Sequence, residues 1–180
     1  LAPEEESSWE RAAAVLQRDR NTDGAIETIE QGLAQLPNSP LLHYSLAQLR
    51  RENCEFKAAA ACYRRAETLG FRAADLYRNE AESLLEDGHP EKAVLAARRG
   101  LMRFPADAQL HRTAARLHFE SGSQEDPVAN LLDSAEKQST SSALWETAID
   151  LLTHLQRDED VTSTLQKAFI EQSLFENKTW

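Results

Sequence analysis

Residues 74–107, ADLYRNEAESLLEDGHPEKAVLAARRGLMRFPAD, hold one complete copy of a pattern that runs through the chain. Tyr77 is followed four places on by Ala81 and sixteen places on by Ala93. Asp87-Gly88-His89-Pro90 divides two runs whose apolar residues recur at three- and four-residue spacing, as in Ala93, Val94, Ala97 and Leu101. That spacing belongs to helices and not to strands, so the stretch reads as two helices joined by a turn. Working outward, a ring recurs every 34 residues at Trp9, His43, Tyr77, His111 and Trp145. Four places after each ring stand Ala13, Ala47, Ala81, Ala115 and Ile149, and sixteen places after it stand Ala25, Ala59, Ala93, Pro127 and Val161.

The other copies carry the same marks. The first reads Trp9, Ala12, Ala13, Leu16, Ala25, Ile29, Gly32 and Pro37; the second reads His43, Leu46, Ala47, Arg50, Ala59, Tyr63, Ala66 and Phe71. The third reads Tyr77, Glu80, Ala81, Leu84, Ala93, Ala97, Gly100 and Pro105. The fourth departs, because Gly122 to Pro127 carries one extra residue that slides Val128, Leu132 and Ala135 by one. In the fifth, Trp145, Ala148, Ile149, Val161, Leu165 and Ala168 are back in phase, so the Lys137 to Ser142 linker is one residue short. The 34-residue period with its ring, small pair and later alanine resembles the tetratricopeptide repeat (TPR). The resemblance implies an all-α, right-handed superhelical solenoid of about five helical hairpins. Each repeat covers its apolar face by stacking on its neighbours, so we expect one array over 6–173, with repeats 6–39, 40–73, 74–107, 108–141 and 142–173.

Turn residues place the helices. Ser39-Pro40, His89-Pro90 and Asp126-Pro127 put Pro at a first helical position, and Ser39 and Asp126 are good N-caps. First helices are expected near 7–19, 40–53, 74–87, 108–121 and 142–155, and second helices near 23–36, 56–69, 90–103, 127–138 and 159–173. Ala47 should face the second helix of its own hairpin and Ala66 the following repeat, so Ala81→Leu at the position equivalent to Ala47 would overpack the array by about 1–3 kcal/mol.

Composition narrows the function. The chain has 180 residues, 41% hydrophobic, with a formal net charge of −10 and acidic clusters at Glu4 to Glu6, Glu125-Asp126 and Asp158 to Asp160. Such a balance disfavours phosphate backbones, so no nucleic-acid partner is expected. No apolar run approaches a membrane span and nothing at the start reads as a signal peptide, so we expect no membrane insertion, a soluble chain, and favour the cytoplasm. The start at Leu1 in place of Met points to trimming, which leaves an earlier targeting segment open. Cys54 and Cys62 should lie about 12 Å apart by helical rise, too far to bridge, and read as thiols in a reducing compartment.

Several local patterns invite chemistry. Asp19 to Glu30 meets the EF-hand calcium-loop pattern, with oxygen donors at Asp19, Asn21 and Asp23, Gly24 at the sixth place and Glu30 at the twelfth. The repeat register instead needs Ala25 and Ile29 inside a helix starting near Asp23, with Asp23 as its cap and Asn21 and Gly24 serving the turn. The two geometries exclude each other, and the repeat is preferred. His43 and His111 occupy ring positions and His118 the place of the family's Tyr, so they read as packing residues. No spacing suits a metal, a cofactor or a catalytic nucleophile, and none is expected. Asn177-Lys178-Thr179 matches the glycosylation sequon, a weak pattern.

By the resemblance, first helices line a concave groove that takes an extended peptide or a partner helix. Repeat places 2, 5, 9, 12 and 13 point into it: Ser7, Glu10, Ala14, Gln17 and Arg18 in the first repeat, then Leu41, Tyr44, Gln48, Arg51 and Glu52 in the second. The third gives Asp75, Arg78, Glu82, Leu85 and Glu86, the fourth Gln109, Arg112, Arg116, Phe119 and Glu120, and the fifth Ala143, Glu146, Asp150, Thr153 and His154. From these, Tyr44, Gln48, Arg51, Arg78, Leu85, Arg112, Arg116 and Phe119 form the candidate partner-binding site, since Arg and aromatic side chains dominate binding hot spots. The competing reading is that the arginines pair with Glu52, Glu82, Glu86 and Glu120 on neighbouring helices, as a solvated face. The carboxylate clamp by which chaperone-adaptor members hold heat-shock protein tails is missing: Glu10, Ala14, Ser45, Asp75 and Asn79 stand at its places in the first window.

The expectation is a non-catalytic protein-protein interaction scaffold for a protein or peptide partner. The alternative is an accessory domain of a larger enzyme, such as a glycosyl- or sulfotransferase, and a lesser third is a calcium-responsive module at Asp19 to Glu30. Residues 174–180 read as the start of a sixth repeat, with Trp180 standing 35 residues after Trp145, or as a native cap. Phe169, Ile170, Leu174 and Phe175 make this end apolar, which suggests self-association.

Overall fold

Proline and polar caps start the helices where the sequence places them. Ser39 Oγ accepts from the Leu42 N–H at 3.1 Å, Asp107 Oδ1 from Leu110 at 2.8 Å, and Asp126 Oδ1 from Val128 at 2.9 Å. The computed structural model describes residues 3–122, 126–137 and 142–176, with side chains described for 6–122, 126, 128–137 and 142–170. Among the described residues every regular element is an α-helix: α1 (Pro3–Arg18), α2 (Thr22–Gln35), α3 (Pro40–Glu52), α4 (Phe56–Thr68), α5 (Ala74–Glu86), α6 (Pro90–Arg103), α7 (Ala108–Glu120), α8 (Pro127–Lys137), α9 (Ser142–His154) and α10 (Asp158–Glu176). None of them is long and apolar enough to cross a membrane. Helix α10 runs three residues beyond its expected end, into the segment read as a sixth repeat. Trp180 and the sequon at Asn177 lie outside the described residues, as do the side chains of Leu174 and Phe175.

Each turn within a hairpin turns on one left-handed residue, and these recur every 34 places: Arg20 (φ 59°), Cys54 (60°), Gly88 (77°), Gly122 (64°) and Gln156 (55°). Their N–H groups donate to carbonyls three residues back, Gln17, Arg51, Leu85, Phe119 and Thr153, at 2.9–3.2 Å. At four of the turns the next residue, Asn21, Glu55, His89 or Arg157, donates to Leu16, Arg50, Leu84 or Leu152 at 2.8–3.0 Å. The reversed backbone thus satisfies carbonyls left over at the end of each first helix.

The chain forms two compact units, residues 1–96 and 97–180. In the first, α1 to α5 pack successively, with α1 also beside α3 and α3 beside α5. Ala13, Ala25, Ile29, Leu42, Leu46 and Leu49 form a core against which Trp9 packs. Gly32 shows why a small residue is needed there: a Cβ on it would meet Trp9 Cγ at 2.8 Å and Leu42 Cδ1 at 3.1 Å. Ala47, Ala66 and Ala81 are fully buried. In the second unit, α7, α8, α9 and α10 enclose Leu131, Ala135, Leu144, Trp145, Ala148 and Ala168.

One local expectation is corrected, and two repeat positions are less buried than their neighbours. The cap of α2 is Asn21 and not Asp23, because Asn21 Oδ1 accepts from the Gly24 N–H at 3.0 Å and the helix already begins at Thr22. In α8 the fully buried leucine is Leu131, while Leu132 is only partly buried against the same core. In α10 Thr164 takes the buried position and Leu165 is half exposed.

Candidate functional site

The EF-hand pattern forms no loop. Its positions from Thr22 onward lie in α2, and Glu30, the bidentate ligand of the pattern, accepts from Arg50 Nη2 at 2.6 Å. A helix spreads these oxygens along 1.5 Å steps and cannot wrap them around one ion. Among the described residues, no group of three His, Cys, Asp or Glu side chains could hold a metal ion.

The histidines at ring positions do more than pack. His43 Nε2 meets the Pro37 carbonyl at 3.1 Å and His111 Nε2 meets the Pro105 carbonyl at 3.0 Å. A carbonyl can only accept, so each ring carries its proton on Nε2 and ties its helix to the proline loop that precedes it. His118 is buried in α7. Both cysteines are free, Cys54 exposed and Cys62 half-buried, where burial pushes its thiol up despite nearby Arg50.

In the first unit, the expected groove residues Tyr44, Gln48 and Arg51 sit on α3, and Arg78 and Leu85 on the adjacent α5. The Tyr44 ring is half-buried, stacked on Phe71 (centroids 4.3 Å, 15°) and edge-on to Tyr63 (5.8 Å, 62°). Gln48 Nε2 donates to its hydroxyl at 3.2 Å. Burial raises the Tyr44 pKa, aided by Asp75 and opposed by Arg78 and Arg51. Burial also pushes Tyr63 up to about 12. Arg51 Nη1 lies 3.6 Å from Glu82, and Arg78 Nη2 lies 2.7 Å from Asp75 one turn earlier. Leu85 is half-buried.

In the second unit, Arg112, Arg116 and Phe119 share α7. Arg112 Nη2 reaches Asp150 on α9 at 3.0 Å, Arg116 Nε stands 4.0 Å from Glu120, and the Phe119 ring is exposed. The solvated-face reading is thus met between neighbouring helices only by Arg51 with Glu82, since Arg116 meets Glu120 within α7 itself. Arg78 and Arg112 choose aspartates that it did not name. All these pairs are at least partly exposed, and such pairs hold weakly enough for a partner to exchange them.

The Phe71 platform under Tyr44 is not legible in the sequence, where Phe71 is only a repeat mark, and its contact follows from the loop after α4. Nor does the sequence announce a cleft of about 360 Å³ between α1 and α3, although Glu10, Ala14, Gln17, Gln48 and Glu52, five of the expected groove positions, line it. Across that cleft Ser45 Oγ donates to Glu10 Oε1 at 2.5 Å, and Gln17 Nε2 donates to Glu52 Oε2 at 2.5 Å.

No protein-family model and no curated protein matches the sequence. Solved structures do. The chain is similar to YrrB, a TPR protein described as having an unusual peptide-binding site, at 14% identity and TM-score 0.61, over 92% of this chain and 85% of that one. It is similar to a MamA protein at 12% identity and TM-score 0.66, over 98% and 97%. It is also similar to PilF of Pseudomonas aeruginosa at 16% identity and TM-score 0.63, over 93% and 77%. At these identities the likeness shows the fold, that of TPR-like helical hairpins.

Proposed function

We propose that the chain is a non-catalytic scaffold whose first-helix face binds a protein or peptide segment. The observation that carries this reading is the composition of the α3 and α5 face: Tyr44, held flat on Phe71, stands beside Arg51 and Arg78, whose carboxylate partners are partly exposed. A rigid ring beside cations in exchangeable pairs is the make-up of an interface hot spot. Arg112, Arg116 and Phe119 give α7 the same residue types, and we assign them to partner binding as well. The fold shared with YrrB, whose description includes peptide binding, supports the reading. An accessory role in a larger enzyme would use the same face.

The test is capture of interacting proteins by the wild-type chain, by Arg78→Glu and by Arg103→Glu, whose side chain is exposed on α6. Partners should be lost from Arg78→Glu and kept by Arg103→Glu, with both variants as helical as wild type. Equal capture by both would discard the groove.

A further inference from the structure

The cleft between α1 and α3 differs in character from the arginine-bearing face beside it. Its floor is apolar, formed by Ala13, Ile29 and Leu49, and its rims carry the carboxylates of Glu10 and Glu52. Each carboxylate has one neutral partner, the Ser45 hydroxyl or the Gln17 amide, and neither forms an ion pair among the described residues. The one cation lining the cleft, Arg11, donates its Nε to the Ser7 carbonyl of its own helix at 3.1 Å. An ionised carboxylate accepts up to about four hydrogen bonds, so both retain acceptor capacity directed at the cleft. Long basic side chains suit such a place, because their methylene stems cover apolar surface while their heads reach charge.

We infer that this cleft takes two cationic side chains of a partner segment, one at Glu10 and one at Glu52. The inference rests on the reading of the first-helix face as a binding groove and names the chemistry of its occupant. The carboxylates lie at opposite ends of the cleft: Glu10 and Gln17 are two turns apart on α1, as are Ser45 and Glu52 on α3, which is about 10 Å along the axes. The volume is too small for a helix about 10–12 Å across, so side chains enter and the backbone stays outside. A segment in the polyproline II conformation has three residues per turn and rises about 3.1 Å per residue, so positions i and i+3 stand on one face about 9 Å apart, and the occupant carries Lys or Arg at those two places. The net charge of −10 steers such a segment inward.

Fluorescence anisotropy at low ionic strength tests this, with a labelled ten-residue peptide bearing lysines at i and i+3 among Ala, Ser and Gln. Wild type should bind it, and a peptide with Glu at both places should not bind. Glu10→Gln combined with Glu52→Gln preserves volume and should weaken binding about tenfold or more. Glu27→Gln with Glu91→Gln removes the same charge from exposed sites outside the cleft and should leave affinity unchanged. No binding by wild type, or equal weakening by both double variants, would overturn the inference. The two readings fail separately: partner capture indifferent to Arg78 removes the groove, whereas lysine-peptide affinity indifferent to Glu10 and Glu52 removes only the cation sites.

Discussion

Cys54 sits at φ 60°, in a region where a side chain crowds the following carbonyl, while Gly88 takes the equivalent place one repeat later without that cost. Gly88→Ala should therefore destabilise the protein by about 1 kcal/mol, and Cys54→Gly should be neutral or gain up to about 1 kcal/mol, as strain relief competes with a looser unfolded chain. Urea unfolding of both checks this; a stabilising Gly88→Ala would contradict it. Gly88 and Gly122 announce themselves in the sequence as turn residues. Arg20 and Gln156 do not, since their type carries no left-handed preference and only the period marks them. His111 gives a pH signal. Burial pushes its imidazole below the usual range, against the pull of the Pro105 carbonyl and Asp107. The unfolded chain then binds the proton more readily, so this contribution to stability is full above the unfolded value of about 6.5 and is lost as pH falls through it. The unfolding midpoint should fall between about pH 7.5 and about pH 5.5, and His111→Tyr, which installs the ring found at Tyr77, should flatten that fall. An unchanged slope would assign the pH dependence to other groups.

At the level of helices, small residues set how closely elements approach. A methyl on Gly32 would press on the Trp9 ring and on Leu42, so α1 or α3 must move away from α2. Gly32→Ala should cost about 1–3 kcal/mol despite the better helix propensity of alanine, with a shift in tryptophan emission as Trp9 is displaced. A stabilised variant with unchanged emission would show that the ring yields freely. Helix starts and ends from α2 to α9 were legible to within a residue, because Pro, Gly and capping side chains punctuate a fixed period, whereas α1 begins four residues before its expected start and α10 runs three past its expected end. Side-chain orientation within the shifted and terminal hairpins was less so. The period marks Leu132 and Leu165 as repeat positions, but a one-residue insertion permits either of two adjacent leucines in α8 to turn inward, and α10 buries Thr164 in place of Leu165. The candidate groove was legible as a set of positions and not as a set of contacts. Which acid each arginine meets depends on rotamers and neighbouring helices, and the stacking of Tyr44 on Phe71 depends on a loop conformation.

For the molecule as a whole, composition and exposure bear on association. Net charge of −10 keeps copies apart, yet α10 exposes Leu165 at 50% and Phe169 at 75%. We expect self-association through the 165–180 end that rises with protein concentration and strengthens with salt, as screening removes the repulsion while the apolar contact persists. Sedimentation velocity over a concentration series should show it, and Phe169→Asp should weaken it; a strict monomer at high concentration would end the proposal. The left-handed residues carry one more consequence. Because the backbone adopts the same conformation at positions 20, 54, 88, 122 and 156, a segment cut from one of these to the residue before the next enters and leaves the chain in matching geometry. Residues 54–87 thus form an exchangeable cassette, with the ring of Tyr77 and the small residues Ala59 and Ala81 at their proper phases. Lengthening such a chain by tandem duplication joins Asp87 to Cys54, and the seam keeps the left-handed backbone that Gly88 holds there.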